Sequence, residues 1–267
     1  VGPDGQEAEQ RRKIRCVATM RTHAGIVAQS HRPSCGHPGP LRLQCGASTA
    51  TASKPVQVTR ILAVRHGETA WNRDTRIQGH TDIGLNELGR WQAERLAQTL
   101  REEPITAFYA SDLARARDTA QAVARLHGAT VQTHTGLRER CFGRFEGHTW
   151  AELEALHPQE TQAWRQREPG FAPPEGESLL QLQARVVAAV TELAARHPGE
   201  QVLMVAHGGV LDILYRAATR LDLQAPRSWT MTNTAINRLL WTPEGLSLVG
   251  WADTGHLQDD ALDEKAA

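Results

Sequence analysis

The stretches LAVRHG at 62–67 and LMVAHG at 203–208 decide the fold, because each is a short apolar run that ends in histidine and glycine. Apolar runs of this length, stopped by glycine, predict buried β-strands. In an open α/β sheet, ligands bind in the crevice outside the carboxyl ends of the strands. We therefore expect His66 and His207 to project into one crevice. A single histidine at a strand end is usually structural, but an equivalent pair, with Arg65 before one of them, favours a catalytic site.

The segments around these two stretches alternate between strand and helix patterns. Near-continuous apolar strands separated by helices are typical of an α/β fold of the three-layer αβα class, with a mainly parallel sheet and helices on both faces. Asn86, Ser178 and either Ser111 or Asp112 are good N-caps for three of the helices. The predicted strands are 60–64, 105–110, 130–133, 201–206, 236–241 and 246–251. The predicted helices are 87–102, 179–196 and 210–220, together with a helix that is capped at 111 or 112 and ends at about 126.

The first 55 residues differ in composition from the rest of the chain. They contain eight Lys and Arg against three Asp and Glu, which leaves 22 against 27 for residues 56–267. No acidic residue lies between Gln10 and Gly67, and the segment has no helical or strand periodicity. We predict a disordered or leader-like extension at 1–55 and one domain at 56–267. A basic, hydroxyl-rich segment is typical of a transit peptide, and an over-extended start site is the simpler alternative.

Composition excludes several classes of protein. The longest apolar runs are about five to seven residues, whereas a membrane span needs about twenty, so we expect no membrane partner. The excess of acidic residues in 56–267 disfavours nucleic acid as a partner. The one cysteine of that domain, Cys141, has no partner for a disulfide within it, which favours a reducing compartment and predicts a cytoplasmic location. The N-terminal histidines and cysteines match no common zinc-binding spacing, so we predict no metal site.

Several motifs follow in order along the chain, and together they resemble one family. They are RHGETAWN at 65–72, QG at 78–79, SDLARA at 111–116, LRE at 137–139, GRFEG at 143–147, GES at 176–178 and AHGG at 206–209. This series resembles the histidine phosphatase superfamily, the phosphoglycerate-mutase-like proteins, over about residues 60–257. The clearest departure is Gly84, where the family usually has proline, and it affects the stiffness of a loop rather than the chemistry.

Hydrolysis of a phosphate monoester needs a nucleophile, positive charge for the phosphate oxygens and a proton for the leaving alcohol. A neutral imidazole at His66 can attack phosphorus and carry the phosphoryl group. The guanidinium groups of Arg65 and Arg115 match phosphate oxygens bidentately, and His207 adds a further donor. The resemblance implies that Glu139 is the general acid and then the base for water. These five residues are the predicted catalytic set.

A second set is predicted to bind the substrate. Asn72 and Thr69 are expected to hydrogen-bond phosphate or to orient the loop, and Gly208 permits close approach of the main chain. The resemblance adds Gln78 and Gly79. Because two histidines and two arginines already supply the charge, we expect no metal and no cofactor. The remaining histidines of the domain, His80 among them, are most simply surface or loop residues. For Trp150, Trp164 and Phe171, a lid over the site and ordinary packing stay equally open.

We expect a phosphatase that acts on a small phosphorylated metabolite through phospho-His66. The alternative is a phosphoglycerate mutase, in which phosphohistidine donates back to the substrate. Only 36 residues separate Glu139 from Gly176, whereas the mutases usually carry a longer, basic segment there, and the phosphatase branches resemble this chain more closely. A protein that only binds a phosphorylated partner would lack a catalytic residue, and none is missing. The natural substrate and the oligomeric state are not decided by the sequence.

Overall fold

The structure, a computed structural model, describes residues 57–258. The predicted extension at 1–55 lies outside these residues. The strands are β1 (Thr59–Arg65), β2 (Ile105–Ala110), β3 (Val131–Thr133), β4 (Gln201–Ala206), β5 (Ile236–Thr242) and β6 (Gly245–Asp253). The helices are α1 (Ala70–Arg73), α2 (Glu87–Thr99), α3 (Ala114–Leu126), α4 (Trp150–Leu156), α5 (Pro158–Arg165), α6 (Leu179–Ala194) and α7 (Gly208–Thr219).

The six strands form one sheet in the order β3-β2-β4-β1-β5-β6. The pairs β2–β3, β2–β4 and β1–β4 are parallel, whereas β5 and β6 join antiparallel at one edge. The predicted mainly parallel sheet is therefore confirmed, and so is the terminal strand pair around the turn at 242–245. β1 and β4 lie side by side in the middle, so the two histidine stretches end at the same edge of the sheet.

Helices cover both faces of the sheet, as predicted for the αβα class. On one face, α6 and α7 pack over the β1 side chains Ile61 and Ala63. On the other face, α2 and α3 pack over Leu62 and Val64. Successive side chains of a strand point to opposite faces, so a continuous apolar strand serves both cores. Full burial of such a side chain stabilises the fold by roughly 1.5–3 kcal/mol.

The predicted helix caps are confirmed for α2 and α6 and wrong for α3. The side chain of Asn86 accepts a hydrogen bond from Gly89 N, and Ser178 begins a capping box. α3 starts later than predicted, with Leu113 at its N-cap and no side-chain cap of its own. Instead, the carboxylate of Asp82 accepts a hydrogen bond from Ala114 N at 2.8 Å. A residue 32 positions earlier therefore caps α3, which local sequence cannot reveal.

The segment between Glu139 and Gly176 contains the two short helices α4 and α5. α4 begins at a capping box formed by Thr149 and Glu152, and Pro158 occupies the first turn of α5. Trp150 and Trp164 come from these two helices, and their ring centroids are 5.4 Å apart. Within residues 57–258, no helix is both long and apolar enough to cross a bilayer.

Candidate active site

The two predicted histidines lie side by side at the carboxyl ends of the central strands. β1 and β4 are in parallel register, with Arg65 opposite Ala206, so His66 and His207 follow at the same level. Their ring centroids are 5.1 Å apart, and both side chains are buried, at 3% and 0% exposure. The structure therefore brings together the pair that the sequence identified.

His66 is held in one tautomer by the main chain. Its Nδ1 lies 2.7 Å from the carbonyl oxygen of Gly67, and because a carbonyl oxygen only accepts, Nδ1 carries the proton. The lone pair of Nε2 is left available for attack. Burial, followed by the charges of Arg65 and Arg115, holds the pKa of His66 well below its ordinary value of 6.5. The ring is therefore neutral at neutral pH, as a nucleophile requires.

His207 occupies the N-cap position of α7. Both of its ring nitrogens are buried and have no hydrogen-bond partner among the described residues. Burial, followed by the charge of Arg115, keeps the pKa of His207 well below its ordinary value. A buried polar group without a partner is costly, and a bound phosphate oxygen would satisfy the ring N–H.

Arg115 and Arg65 place two buried positive charges beside the histidines. Nη2 and Nη1 of Arg115 donate to the carbonyl oxygens of Gly79 at 2.7 Å and Thr81 at 2.9 Å. Nη1 of Arg65 donates to the carbonyl oxygen of Met231 at 2.6 Å. Burial lowers the pKa of both guanidinium groups. Within residues 57–258 neither forms an ion pair, and both Nε atoms lack a partner. The site therefore favours an anion.

The carboxylate of Glu139 lies in the same site, because a Cβ on Gly208 would be 3.7 Å from Glu139 Oε2 and 3.9 Å from Arg65 Nε. Its Oε1 accepts hydrogen bonds from Gly209 N at 2.9 Å and Arg140 N at 2.8 Å, and its Oε2 lies 3.1 Å from Gly209 N. Gly209 is in the first turn of α7, whose N-terminus favours negative charge. This carboxylate also acts electrostatically on Arg65 and Arg115. All five residues of the predicted catalytic set therefore meet in one place.

The predicted substrate-binding residues fall into two groups. Thr69 and Asn72 form the capping box of α1 with each other, so their side chains hold the first turn of this helix. Gln78 is buried, and its Oε1 has no partner in the described part of the chain. The main chain of Gly208 lines the site, because a Cβ there would be 3.7 Å from the Glu139 carboxylate.

Gly79 acts through Arg115, since its carbonyl oxygen is one of the two that hold the guanidinium. Its φ of 54° is in the left-handed region that glycine adopts most easily. A Cβ at this position would come within 2.1 Å of the Glu146 carboxylate. Glycine is therefore required here by both conformation and space.

Sequence reasoning assigned no role to three supporting residues. The Glu146 carboxylate accepts hydrogen bonds from the main-chain N–H groups of His80, Thr81 and Phe142 at 2.9–3.1 Å, so it joins the loop that holds Arg115 to the loop that holds Glu139. The GRFEG motif was the available signal. His80, a loop residue as predicted, is half-buried, and its Nε2 lies 2.9 Å from the Glu139 carbonyl oxygen.

The third supporting residue is Asn233, whose Nδ2 donates to the His66 carbonyl oxygen at 2.7 Å. It lies in the segment before β5, 167 residues beyond His66. No local pattern in the sequence marks this contact, because the segment before β5 meets the β1 end only in the folded sheet.

Comparison with known proteins assigns the family. Residues 61–254 match the sequence model of the Histidine phosphatase superfamily (branch 1). The chain belongs to this superfamily. The resemblance seen in the motifs, from the RHGETAWN stretch to the AHGG stretch, is thereby confirmed.

Other members of the histidine phosphatase superfamily differ in their named activities. Two Arabidopsis thaliana proteins are similar: Phosphoglycerate mutase-like protein 4, 36% identical over 211 residues, with 78% of this chain and 90% of that protein covered, and Metal-independent phosphoserine phosphatase, 37% identical over 204 residues, with 75% and 84% covered. The solved mycobacterial glucosyl-3-phosphoglycerate phosphatase Rv2419c is 33% identical, with a TM-score of 0.67 and coverage of 74% of this chain and 100% of that one. These names describe those proteins, and both phosphatase and mutase names occur among them.

Proposed function

We propose that this protein is a phosphatase that hydrolyses phosphate monoesters of small metabolites through a phosphohistidine on His66. One observation carries the proposal. Nδ1 of a buried, neutral His66 is committed to the Gly67 carbonyl oxygen, so Nε2 is a prepared nucleophile beside two guanidinium groups and a carboxylate. The phosphatases among the similar proteins support the same activity.

In the first step, Nε2 of His66 attacks phosphorus, and the bond between phosphorus and the leaving oxygen breaks. Protonated Glu139 donates its proton to that oxygen, so the alcohol leaves neutral. The Nδ1–H to Gly67 contact stabilises the positive charge that develops on the ring. In the second step, ionised Glu139 takes a proton from water, the water oxygen attacks phosphorus, and the P–N bond breaks. Inorganic phosphate and neutral His66 result.

Arg65, Arg115 and His207 stabilise the equatorial oxygens during both steps. Their donors are already fixed by the main chain or by burial, so they need little reorganisation when charge develops. Fixed donors in a buried site are worth more than the same donors in water. The residues supply this charge themselves. Among residues 57–258, no group of three or more His, Cys, Asp or Glu side chains is arranged for a metal ion.

The alternative function is a phosphoglycerate mutase, which the name of one similar protein favours. The two reactions share phosphohistidine and differ in the acceptor, which is water in the phosphatase and a substrate hydroxyl in the mutase. The test is therefore a set of phosphorylated metabolites assayed for free phosphate, with 3-phosphoglycerate also assayed for isomerisation with and without 2,3-bisphosphoglycerate.

We expect phosphate release that persists after exhaustive EDTA treatment and is lost in His66→Ala. When dephosphorylation is the slow step, acid-labile, base-stable phosphate is expected on the protein, and it is expected to be absent from His66→Ala. If isomerisation of 3-phosphoglycerate is faster than phosphate release, the protein is a mutase and the phosphatase proposal is wrong. Activity that returns only on addition of metal, or phosphate trapped on His207 instead of His66, would contradict the mechanism.

The proposal includes a cellular location and a class of binding partner. Cys141 carries a free thiol, which supports a reducing, cytoplasmic location. The acidic balance of residues 56–267 supports a small phosphorylated metabolite rather than nucleic acid as partner. Fluorescence imaging of the full chain with a C-terminal fluorescent protein tests the location, and accumulation in an organelle would contradict it.

A further inference from the structure

The GES motif at 176–178 and an arginine on α6 form an ion pair beside the segment that carries Glu139. Nε of Arg185 donates to Oε1 of Glu177 at 2.9 Å, and Nη2 donates to Oε2 at 2.7 Å. The side chains of Arg185 and Glu177 are 25% and 14% exposed. Partial burial of two charges costs solvation, and the two reaction steps described above use neither residue.

Arg185 also holds the main chain next to the general acid. Its Nη1 donates to the carbonyl oxygens of Gly136 at 3.1 Å and Arg138 at 3.0 Å. Its Nη2 donates to the carbonyl oxygen of Glu139 at 3.2 Å. These three oxygens and the two of Glu177 match the five N–H donors that a guanidinium presents in a fixed plane. One side chain therefore fixes the main chain of 136–139.

The peptide group between residues 139 and 140 connects Arg185 to the Glu139 carboxylate. Its carbonyl oxygen accepts hydrogen bonds from Arg185 Nη2 and, at 2.9 Å, from His80 Nε2. Its N–H, which belongs to Arg140, donates to Glu139 Oε1 at 2.8 Å. Because a peptide group is planar, fixing the oxygen also fixes the direction of the N–H that holds the carboxylate.

Glu177 fastens the same segment on the other side of Glu139. Its main-chain N–H donates to the carbonyl oxygen of Cys141 at 2.8 Å, and Cys141 N donates back to Glu177 Oε2 at 3.4 Å. The carbonyl oxygen of Glu177 accepts a hydrogen bond from Arg140 Nε at 2.6 Å. Residues 136–141 are therefore bound to Glu177 and Arg185 both before and after the general acid.

Given the phosphatase mechanism proposed above, we infer that Arg185 is a positioning residue for proton donation by Glu139, and that Glu177 orients Arg185. Arg185 acts through the peptide group of Glu139 and not on the phosphate. Misplacement of a reacting group by about 1 Å can lower the rate about 100-fold. Loosening this contact therefore impairs protonation of the leaving oxygen and leaves the binding of the phosphoryl group unchanged.

The test compares Arg185→Lys with Arg125→Lys as a matched control. Lysine keeps the charge, but its single nitrogen cannot reach five acceptors in one plane. Arg125 lies in the last turn of α3 and makes an exposed bidentate pair with Glu94 at 2.8 and 2.9 Å. For each protein, kcat/KM is measured on phenyl phosphate and p-nitrophenyl phosphate, and inorganic phosphate is titrated as an inhibitor.

Phenolate is a more basic leaving group than p-nitrophenolate, so it depends more on a donated proton. For Arg185→Lys we expect kcat/KM to fall about 10–100-fold on phenyl phosphate and less than about threefold on p-nitrophenyl phosphate, with unchanged inhibition by phosphate. In the Glu139→Gln background, Arg185→Lys is expected to leave the ratio of the two esters unchanged, because the proton donor is already lost. Arg125→Lys is expected to leave every value unchanged.

Equal losses on the two esters would overturn the inference, because an ion pair that only stabilises the fold lowers both activities alike. The same increase of the ratio in the Glu139→Gln background would also overturn it, since Arg185 would then act independently of Glu139. Folding of each variant is checked by calorimetry. If Arg185→Lys does not fold, Glu177→Gln is the second variant, for which the same direction of change is expected.

The proposed function fails separately, if the wild-type protein releases phosphate from neither ester. NMR then tests the inference without turnover, because Gly209 N donates to the Glu139 carboxylate. In Arg185→Lys the amide resonance of Gly209 is expected to move toward its position in Glu139→Ala, and in Arg125→Lys it is expected to stay in place. An unmoved Gly209 resonance in Arg185→Lys would refute the positioning role.

Discussion

Replacing Glu139 by glutamine separates proton donation from the rest of the mechanism. Oε1 of Glu139 accepts both shorter hydrogen bonds, from Gly209 N and Arg140 N, and Oε2 makes only the 3.1 Å contact. A glutamine carbonyl oxygen can keep the two shorter bonds, and its amide nitrogen then replaces Oε2. The cost to folding is about one weak hydrogen bond, roughly 0.5–1.5 kcal/mol, so the variant is expected to fold.

The catalytic cost depends on the leaving group. Loss of a general acid typically lowers the rate about 10²–10⁴-fold, which corresponds to about 2.7–5.5 kcal/mol in the barrier. An alkyl phosphate needs its leaving oxygen protonated, whereas p-nitrophenolate departs largely unaided. For Glu139→Gln we therefore expect kcat/KM to fall by this factor on phosphoserine and by less than tenfold on p-nitrophenyl phosphate. kcat/KM reports the phosphorylation step, which precedes the attack by water.

The assay compares both substrates in the wild type, Glu139→Gln and Glu175→Gln. Glu175 lies in an exposed loop and pairs with Arg144 at 2.8 Å, so its replacement controls for the loss of one carboxylate nearby. A burst of p-nitrophenol followed by slow turnover is expected for Glu139→Gln, because deprotonation of water then limits the reaction. Equal losses of kcat/KM on the two substrates would remove Glu139 from the acid role.

Three further predictions follow from the geometry. Gly209→Ala places a Cβ within 2.3 Å of the Glu139 carboxylate, so the carboxylate must move away from Gly209 N. We expect at least a tenfold loss of kcat/KM on phosphoserine, and retained activity would contradict this. Because burial lowers the pKa of His66 and His207 below 6.5, native rings stay neutral as the pH falls through 6.5 while unfolded ones protonate. Stability then decreases toward acid by up to about 1.4 kcal/mol per pH unit for each ring, and NMR of ¹³C-labelled histidines would refute this if either ring titrated near 6.5. A chain that begins at Pro55 is expected to keep full activity and a similar Tm, and a fall of several degrees by calorimetry would show that the extension stabilises the domain.

Local signals in the sequence predicted the elements whose causes are local. Asn86 and Ser178 cap their helices with their own side chains, and the continuous apolar strands predicted a sheet covered on both faces. α7 begins at Gly208, two residues before the predicted start, because two glycines weaken the helical pattern. α4 and α5 were not predicted as helices, since they are short and polar and Pro158 interrupts the segment.

The catalytic side chains could be predicted because they lie in sequence motifs. The main-chain groups that position these side chains could not be predicted. Arg115 is positioned by carbonyl oxygens, which every residue has, and Asp82 caps α3 from a distant loop. The same reason hides the buried ion pairs of Asp212 with Arg167 and Arg216, because the sequence does not show that residue 167 lies against α7.

The placement of His66 and His207 on adjacent strands has a consequence for how this scaffold can change. Hydrogen-bonded strands are spaced about 4.8 Å apart in any sheet, and the 5.1 Å between the two rings reflects that spacing. Substitutions elsewhere leave the spacing of the two strand ends unchanged as long as the ladder between β1 and β4 is intact. Adaptation to a new substrate is therefore expected in segments outside the sheet, while the spacing of the two strand ends stays constant.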